Sequence, residues 1–124
     1  MALPAPKKAA SPPDSYSARD LDLVHLARQT AGDRVLEREV LGLFRDQTVR
    51  MLAAMAMAVR NGRQARDAAH TLKGAARGVG AFRVADLAEI VETAGDESIA
   101  SAVADLSAAA EDARNLIDRL LAND

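Results

Sequence analysis

The sequence predicts an all-α protein, an antiparallel up-down-up-down four-helix bundle with a short N-terminal helix at one end. Three observations carry that expectation. Alanine and leucine dominate a chain that is 49% hydrophobic but only 2% aromatic, a composition suited to closely packed helices. Apolar residues recur at helical spacing through four substantial segments. Short breaks at Asn61-Gly62, around Gly78 and Gly80, and at Gly95-Asp96 favour antiparallel neighbours. With 124 residues, one core is expected, burying about two-thirds of the unfolded surface.

Residues 1–14 (MALPAPKKAASPPD) hold all four prolines, with small residues and two lysines that offer little apolar surface to bury. Residues 1–15 are read as a flexible tail and residues 16–124 as the bundle domain. Ser17 is expected to cap the first short helix, with Asp20 three residues later as a weaker capping box. Leu21, Val24, Leu26 and Ala27 give that helix an apolar side, and Gly32 closes it. His25 reads there as a surface residue. Asp33 can cap a second helix running to about residue 60, with Leu36, Val40, Leu43, Phe44, Met51, Leu52, Met55 and Val59 as its core stripe. Met51, Met55 and Met57 could in principle gather around a ligand or metal, but core filling suits their spacing better.

Asn61-Gly62 reads as a stop in the left-handed conformation, after which residues 63–82 (RQARDAAHTLKGAARGVGAF) form the third helix. A fourth, over about residues 82–94, should turn Phe82, Leu87, Ile90, Val91 and Ala94 inward, with Phe82 as a core anchor. Gly95-Asp96 combines a stop with a cap. The last helix, about residues 97–122, carries Val103, Leu106, Ala110, Ala113, Leu116, Ile117 and Leu120.

The third helix organises the chain. At about 100° per residue, Ala65, Ala68, Leu72, Ala75, Ala76 and Val79 fall on one side and His70 on the other. Arg63, Arg66, Lys73, Gly74 and Arg77 share the His70 side, at helical neighbour spacings of three, four and seven residues. A histidine on a solvated helix face is ordinarily unremarkable. Gly74 changes that reading: glycine in a helix interior costs about 1 kcal/mol relative to alanine, and here it leaves bare backbone one turn from the ring. A partner can then approach the imidazole closely.

Free imidazole titrates near ~6.5, so near neutrality an exposed ring keeps a nucleophilic lone pair able to take up a group covalently. Phosphoryl is the natural group, because Lys73 one turn on and Arg77 two turns on could meet its oxygens with charge-assisted hydrogen bonds. Apart from Asp67, that helix face carries no acid, second base or metal ligand, which suits a carrier better than a hydrolytic site.

The string Ala69-His70-Thr71-Leu72-Lys73-Gly74-Ala75-Ala76, followed by Val79-Gly80-Ala81, resembles the motif of the histidine-containing phosphotransfer (HPt) domains of two-component phosphorelays. The resemblance implies that His70 takes a phosphoryl group from a receiver-domain aspartate and gives it to another. It also implies that Lys73 lies near the phosphoryl group and that Gly74 allows close approach. Where the family often has cysteine and then Leu-Glu, this chain has Ala88, Val91 and Glu92, a departure expected to alter packing only. The resemblance extends from about Leu21 to the C-terminus, but outside the His70 segment it consists of helix lengths and apolar spacing.

Other classes find little support. The 16 basic and 18 acidic residues give a net charge of −2, whereas a nucleic-acid binder is usually more basic. The distribution is uneven. Residues 60–83 hold six basic residues and one acid, Asp67, whereas residues 84–124 hold ten acids with only Arg114 and Arg119, which suits docking of the His70 side onto an acidic pocket. Cysteine is absent, so no disulfide or thiolate site can form. No apolar run approaches a membrane span, and residues 1–14 lack the apolar core of a secretory signal, so a cytoplasmic protein is expected. Glu89, Glu92, Asp96 and Glu97 lack the Glu-x-x-His pairs of bundle metal sites and read as a solvated face with helix-end charges. No P-loop, Rossmann fingerprint or nucleophile elbow is present.

The expected function is therefore that of a phosphorelay intermediate rather than an enzyme, with no cofactor bound by this chain and Mg²⁺ supplied by the receiver. The expected partners are response-regulator receiver domains, with a hybrid histidine kinase as a further candidate, met through Arg66, Thr71, Arg77 and Val79 beside His70. The alternative is a helical adaptor or inhibitor that binds a kinase or receiver without carrying phosphate, though a pure binder needs no nucleophile. A bundle that oligomerises through an apolar face is disfavoured by outer faces read as polar, and a monomer is expected. A dimerising histidine-kinase domain would place an acid after the histidine and a proline shortly beyond; Thr71-Leu72 and the absence of proline after Pro13 oppose it.

Overall fold

A computed structural model describes residues 20–58 and 61–123. Among them are five helices and no strand: α1 (Leu23–Gln29), α2 (Arg34–Met57), α3 (Gly62–Val79), α4 (Phe82–Thr93) and α5 (Ile99–Ala122). Helices α2 to α5 form the antiparallel bundle, each packed on its neighbour in sequence and α5 closing back on α2, while α1 lies against α3. The fold is the one expected. The tail over residues 1–15, the Ser17 cap, Val59 and Arg60 lie outside the described residues.

Local chemistry sets the helix ends. Asp22 caps α1, its carboxylate accepting from the Val24 and His25 amides at 3.1 and 3.0 Å, which relieves two of the unpaired N–H groups at a helix start. Asp33 caps α2 as expected, accepting from Leu36 N at 3.0 Å. The pair Asn61-Gly62 does something other than expected. Asn61 has φ −111° and caps α3, accepting from Gln64 N, so the pair starts the third helix instead of ending the second, which stops at Ala58. Asp96 does not cap α5 either; that helix begins after Ser98, and the Asp96 carboxylate is bound to Arg66.

The core is rich in alanine. Ala65, Ala69 and Ala76 of α3, Ala85 and Ala88 of α4 and Ala109, Ala110 and Ala113 of α5 share one buried cluster with Leu72, Met55, Leu106 and Ile117, small side chains that suit close packing of the helices. Ala88, at the place of the family's cysteine, is fully buried. Several side chains expected inside lie outside. Leu36 and Leu43 of α2 and Phe82 and Ile90 of α4 are exposed, because the neighbouring positions Leu41, Phe44, Val84 and Val91 fill the core. Thr48 is buried without penalty, its hydroxyl donating to Phe44 O at 2.7 Å. The outer face of α2 consequently exposes Val35, Leu36, Leu43, Val49 and Met57 among the charged Glu39, Asp46 and Arg50. Phe82 instead meets the His25 ring edge-on, centroids 5.1 Å apart at 71°, so His25 helps to pin α1 and is not a free surface residue.

Candidate functional site

The turn between α3 and α4 sets what stands beside His70. Gly80 ends α3 in the left-handed region at φ +88°, and a Cβ there would lie 2.8 Å from the Asp22 carbonyl oxygen, so only glycine fits this junction. Asp22 N donates to Gly80 O at 2.8 Å, which ties the start of α1 to the same turn. The chain then reverses through Ala81, and α4 runs back along α3.

His70 lies outward on α3 with 67% of its side chain exposed. Its Nδ1 is 2.6 Å from Oε2 of Glu92 on α4, and the other carboxylate oxygen, Oε1, is 2.6 Å from Lys73 Nζ. One carboxylate thus bridges the ring and the lysine. Lys73 and Glu92 are 16% and 25% exposed, so the bridge is partly shielded while the far side of the ring stays open. Lys73 first, and His70 second, hold the Glu92 carboxyl below its usual range, which keeps it ionised. An ionised carboxylate only accepts; the Nδ1 atom must therefore carry the proton, and in a neutral ring Nε2 is left with its lone pair.

The other residues on this side divide into two groups. Thr71 and Gly74 are exposed, and a Cβ built on Gly74 meets nothing within 4 Å; the helix has room for a larger residue and does not use it. Arg77 is at the surface, paired with Glu89 of α4 at 3.2 Å. Arg66 is tethered, its Nε donating to Ala94 O at 2.9 Å and its Nη2 to Asp96 at 2.8 Å, and so serves the α4–α5 connection. Val79, expected at the partner face, is a correction: it is only 7% exposed and belongs to the core, as its place on the apolar stripe of the helix requires. The ring of cations around His70 is corrected in kind, since Lys73, Arg66 and Arg77 each have a carboxylate partner.

Glu92, part of a solvated face on the sequence alone, stands at the centre of the site. The helix face of His70 alone could not reveal it, because the acid comes from the next helix. The signal lay in the turn: His70 and Glu92 stand eleven residues before and after Ala81, so an antiparallel hairpin bent there sets them side by side. Among the described residues, no group of three or more His, Cys, Asp or Glu side chains is arranged to hold a metal ion, and no helix is long and apolar enough to cross a membrane.

A family model for the Hpt domain matches residues 39–123, more than half of the chain and including all of α3, α4 and α5. The chain belongs to the Hpt domain family. No curated protein and no solved structure matches it. Hpt domains are histidine phosphocarriers of two-component phosphorelays, and among the described residues the chain has two histidines, His25 against Phe82 and His70 in the open.

Proposed function

We propose that this Hpt domain is a receiver-to-receiver phosphorelay intermediate, with His70 as the phosphoacceptor. The observation that carries the reading is the carboxylate of Glu92 bound at once to His70 Nδ1 and Lys73 Nζ. It holds the proton on Nδ1 and aims the Nε2 lone pair at solvent, where a partner's phosphoryl group arrives.

In the forward step Nε2 forms a bond to phosphorus while the bond from the receiver aspartate to phosphorus breaks, its electron pair returning to that carboxylate. Nδ1 keeps its proton, and the positive charge gained by the phosphorylated ring is met by Glu92. Lys73 has three donors, so its ammonium can keep Glu92 while meeting a phosphoryl oxygen. The receiver supplies Mg²⁺ and most of the charge stabilisation. Gly74 leaves space for the receiver beside the ring, and Thr71 and Arg77 lie where the receiver would touch. The interface this implies is small and transient, about 1,200 Å² or less.

The test is a relay in three components. A phosphorylated receiver is mixed with this chain, Mg²⁺ and a second, unphosphorylated receiver, and label is followed over time. Label passing through the chain to the second receiver is the expected result. Label reaching the second receiver equally fast without the chain, or a receiver that binds but never labels it, would reject the relay and leave an adaptor.

A further inference from the structure

The outer face of α2 exposes more large apolar side chains than any other described helix. Nine large apolar side chains are exposed among the described residues, and five of them, Val35, Leu36, Leu43, Val49 and Met57, are on this helix. Leu43 is 69% exposed and Met57 88%. Leu36, Leu43 and Met57 belong to one heptad series whose remaining member is Arg50, so the four positions drift by only about 20° per step and form a stripe. Several large apolar side chains exposed along one helix face suit an interaction site. It shares no residue with the His70, Lys73 and Glu92 cluster.

The charges along the stripe indicate what covers it. Glu39 and Arg50 are exposed, and neither has an ion-pair partner among the described residues. Asp46 lies between them, and its ion pair is with Arg45 of its own helix. If a second α2 is laid antiparallel across a two-fold axis near residues 46 and 47, Leu36 of one copy meets Met57 of the other. Arg50 then lands within one helical turn of both Glu39 and Asp46 of the partner copy, and the two-fold axis makes each contact twice. A parallel arrangement would set Arg50 on Arg50 and Glu39 on Glu39, which is repulsive. The 24-residue helix is about 36 Å long, enough for the whole stripe to engage.

We propose that the outer face of α2 binds a second copy of this chain, forming an antiparallel, two-fold symmetric dimer in which Leu36, Leu43 and Met57 make the apolar seam and Arg50 bridges Glu39 and Asp46 of the partner copy. The monomer expected from outer faces read as polar is the opposite outcome of the test below. The dimer does not depend on the relay function, so either reading can fail alone.

Sedimentation of the full chain over about 1 to 200 µM tests it. Wild type should shift from monomer to dimer across that range. Leu43→Lys, which sets a second cation opposite Arg50 of the partner copy, should weaken association about thirtyfold, the loss typical of a central interface residue; because Leu43 is exposed, far-UV circular dichroism should be unchanged. Arg50→Glu should also weaken it, and Glu39→Arg combined with Arg50→Glu should restore part of it, a rescue that loss of fold cannot mimic. A wild type that is monomeric at every concentration overturns the proposal, as does a dimer insensitive to both Leu43→Lys and Arg50→Glu. A monomeric wild type whose Leu43→Lys variant is labelled more slowly by a phosphorylated receiver would assign the stripe to the receiver instead, and equally overturn it.

Discussion

Replacing Gly74 by alanine should make this protein more stable and worse at its task. Gly74 lies in the interior of α3, where alanine is favoured over glycine by about 0.8–1.0 kcal/mol. The added Cβ meets nothing within 4 Å, so no steric cost offsets the gain, and a stabilisation near 1 kcal/mol raises Tm by about 4–8 °C for a domain approaching 100 residues. On the proposed docking, the same methyl group would enter the surface that the receiver closes over. Overpacking a fitted contact costs about 1–3 kcal/mol, or about 5- to 150-fold in transfer rate at limiting receiver. The assay pairs a thermal melt with the initial rate of labelling from a phosphorylated receiver. Gly42→Ala on α2 is the control, since its Cβ would make only an ordinary contact with Arg45 at 3.9 Å; it should gain similar stability and transfer at the wild-type rate. Transfer by Gly74→Ala at the wild-type rate would refute the claim that bare backbone is kept there for a partner. An unchanged Tm would refute the claim that the glycine is costly to the free protein.

The other predictions follow from the same geometry. Lys73→Ala should slow labelling while leaving receiver affinity within about twofold, because the ammonium is one turn from the ring and shielded by Glu92; equal loss of affinity, measured by titration calorimetry, would make Lys73 a docking residue. Glu92→Gln should alter the acid limb of stability: the carboxyl is held below its usual value by Lys73 and His70, so its contribution is present above the unfolded value of about 4.3 and lost as pH falls through the lower folded value. Melts between pH 6 and pH 3 should therefore show a smaller drop in Tm for Glu92→Gln than for wild type, and an identical drop would count against the ion pair. Leu72→Ala, which removes a fully buried side chain on the opposite side of α3 from His70, should cost about 2–5 kcal/mol in denaturant unfolding and leave the labelling rate of the folded fraction unchanged.

The parts of the fold that came from the sequence are those governed by one helix at a time. The apolar stripe of α3, the Asp33 cap and the outward direction of His70 depend on 3.6-residue periodicity and local capping chemistry, which a single segment contains. What escaped depends on which helix lies alongside. Glu92 became part of the site only when α4 folded back at Ala81, and Arg66, Lys73 and Arg77 lost their bare positive charge to acids of α4 and the loop after it. Leu43 and Phe82 have the right composition and spacing for a core but fall one position beside the residues that fill it. Asn61-Gly62 suits the end of one helix as well as the start of the next, and the Asn61 side chain decided the matter by capping α3.

The most direct test of the central claim is to incubate the purified chain and its His70→Ala variant with Mg²⁺ and a panel of phosphorylated receiver domains, and to ask where label goes. The account predicts acid-labile, base-stable label on wild type and none on His70→Ala, with helical content the same in both. Label retained by His70→Ala, or none on wild type from any receiver that binds it, would contradict the account.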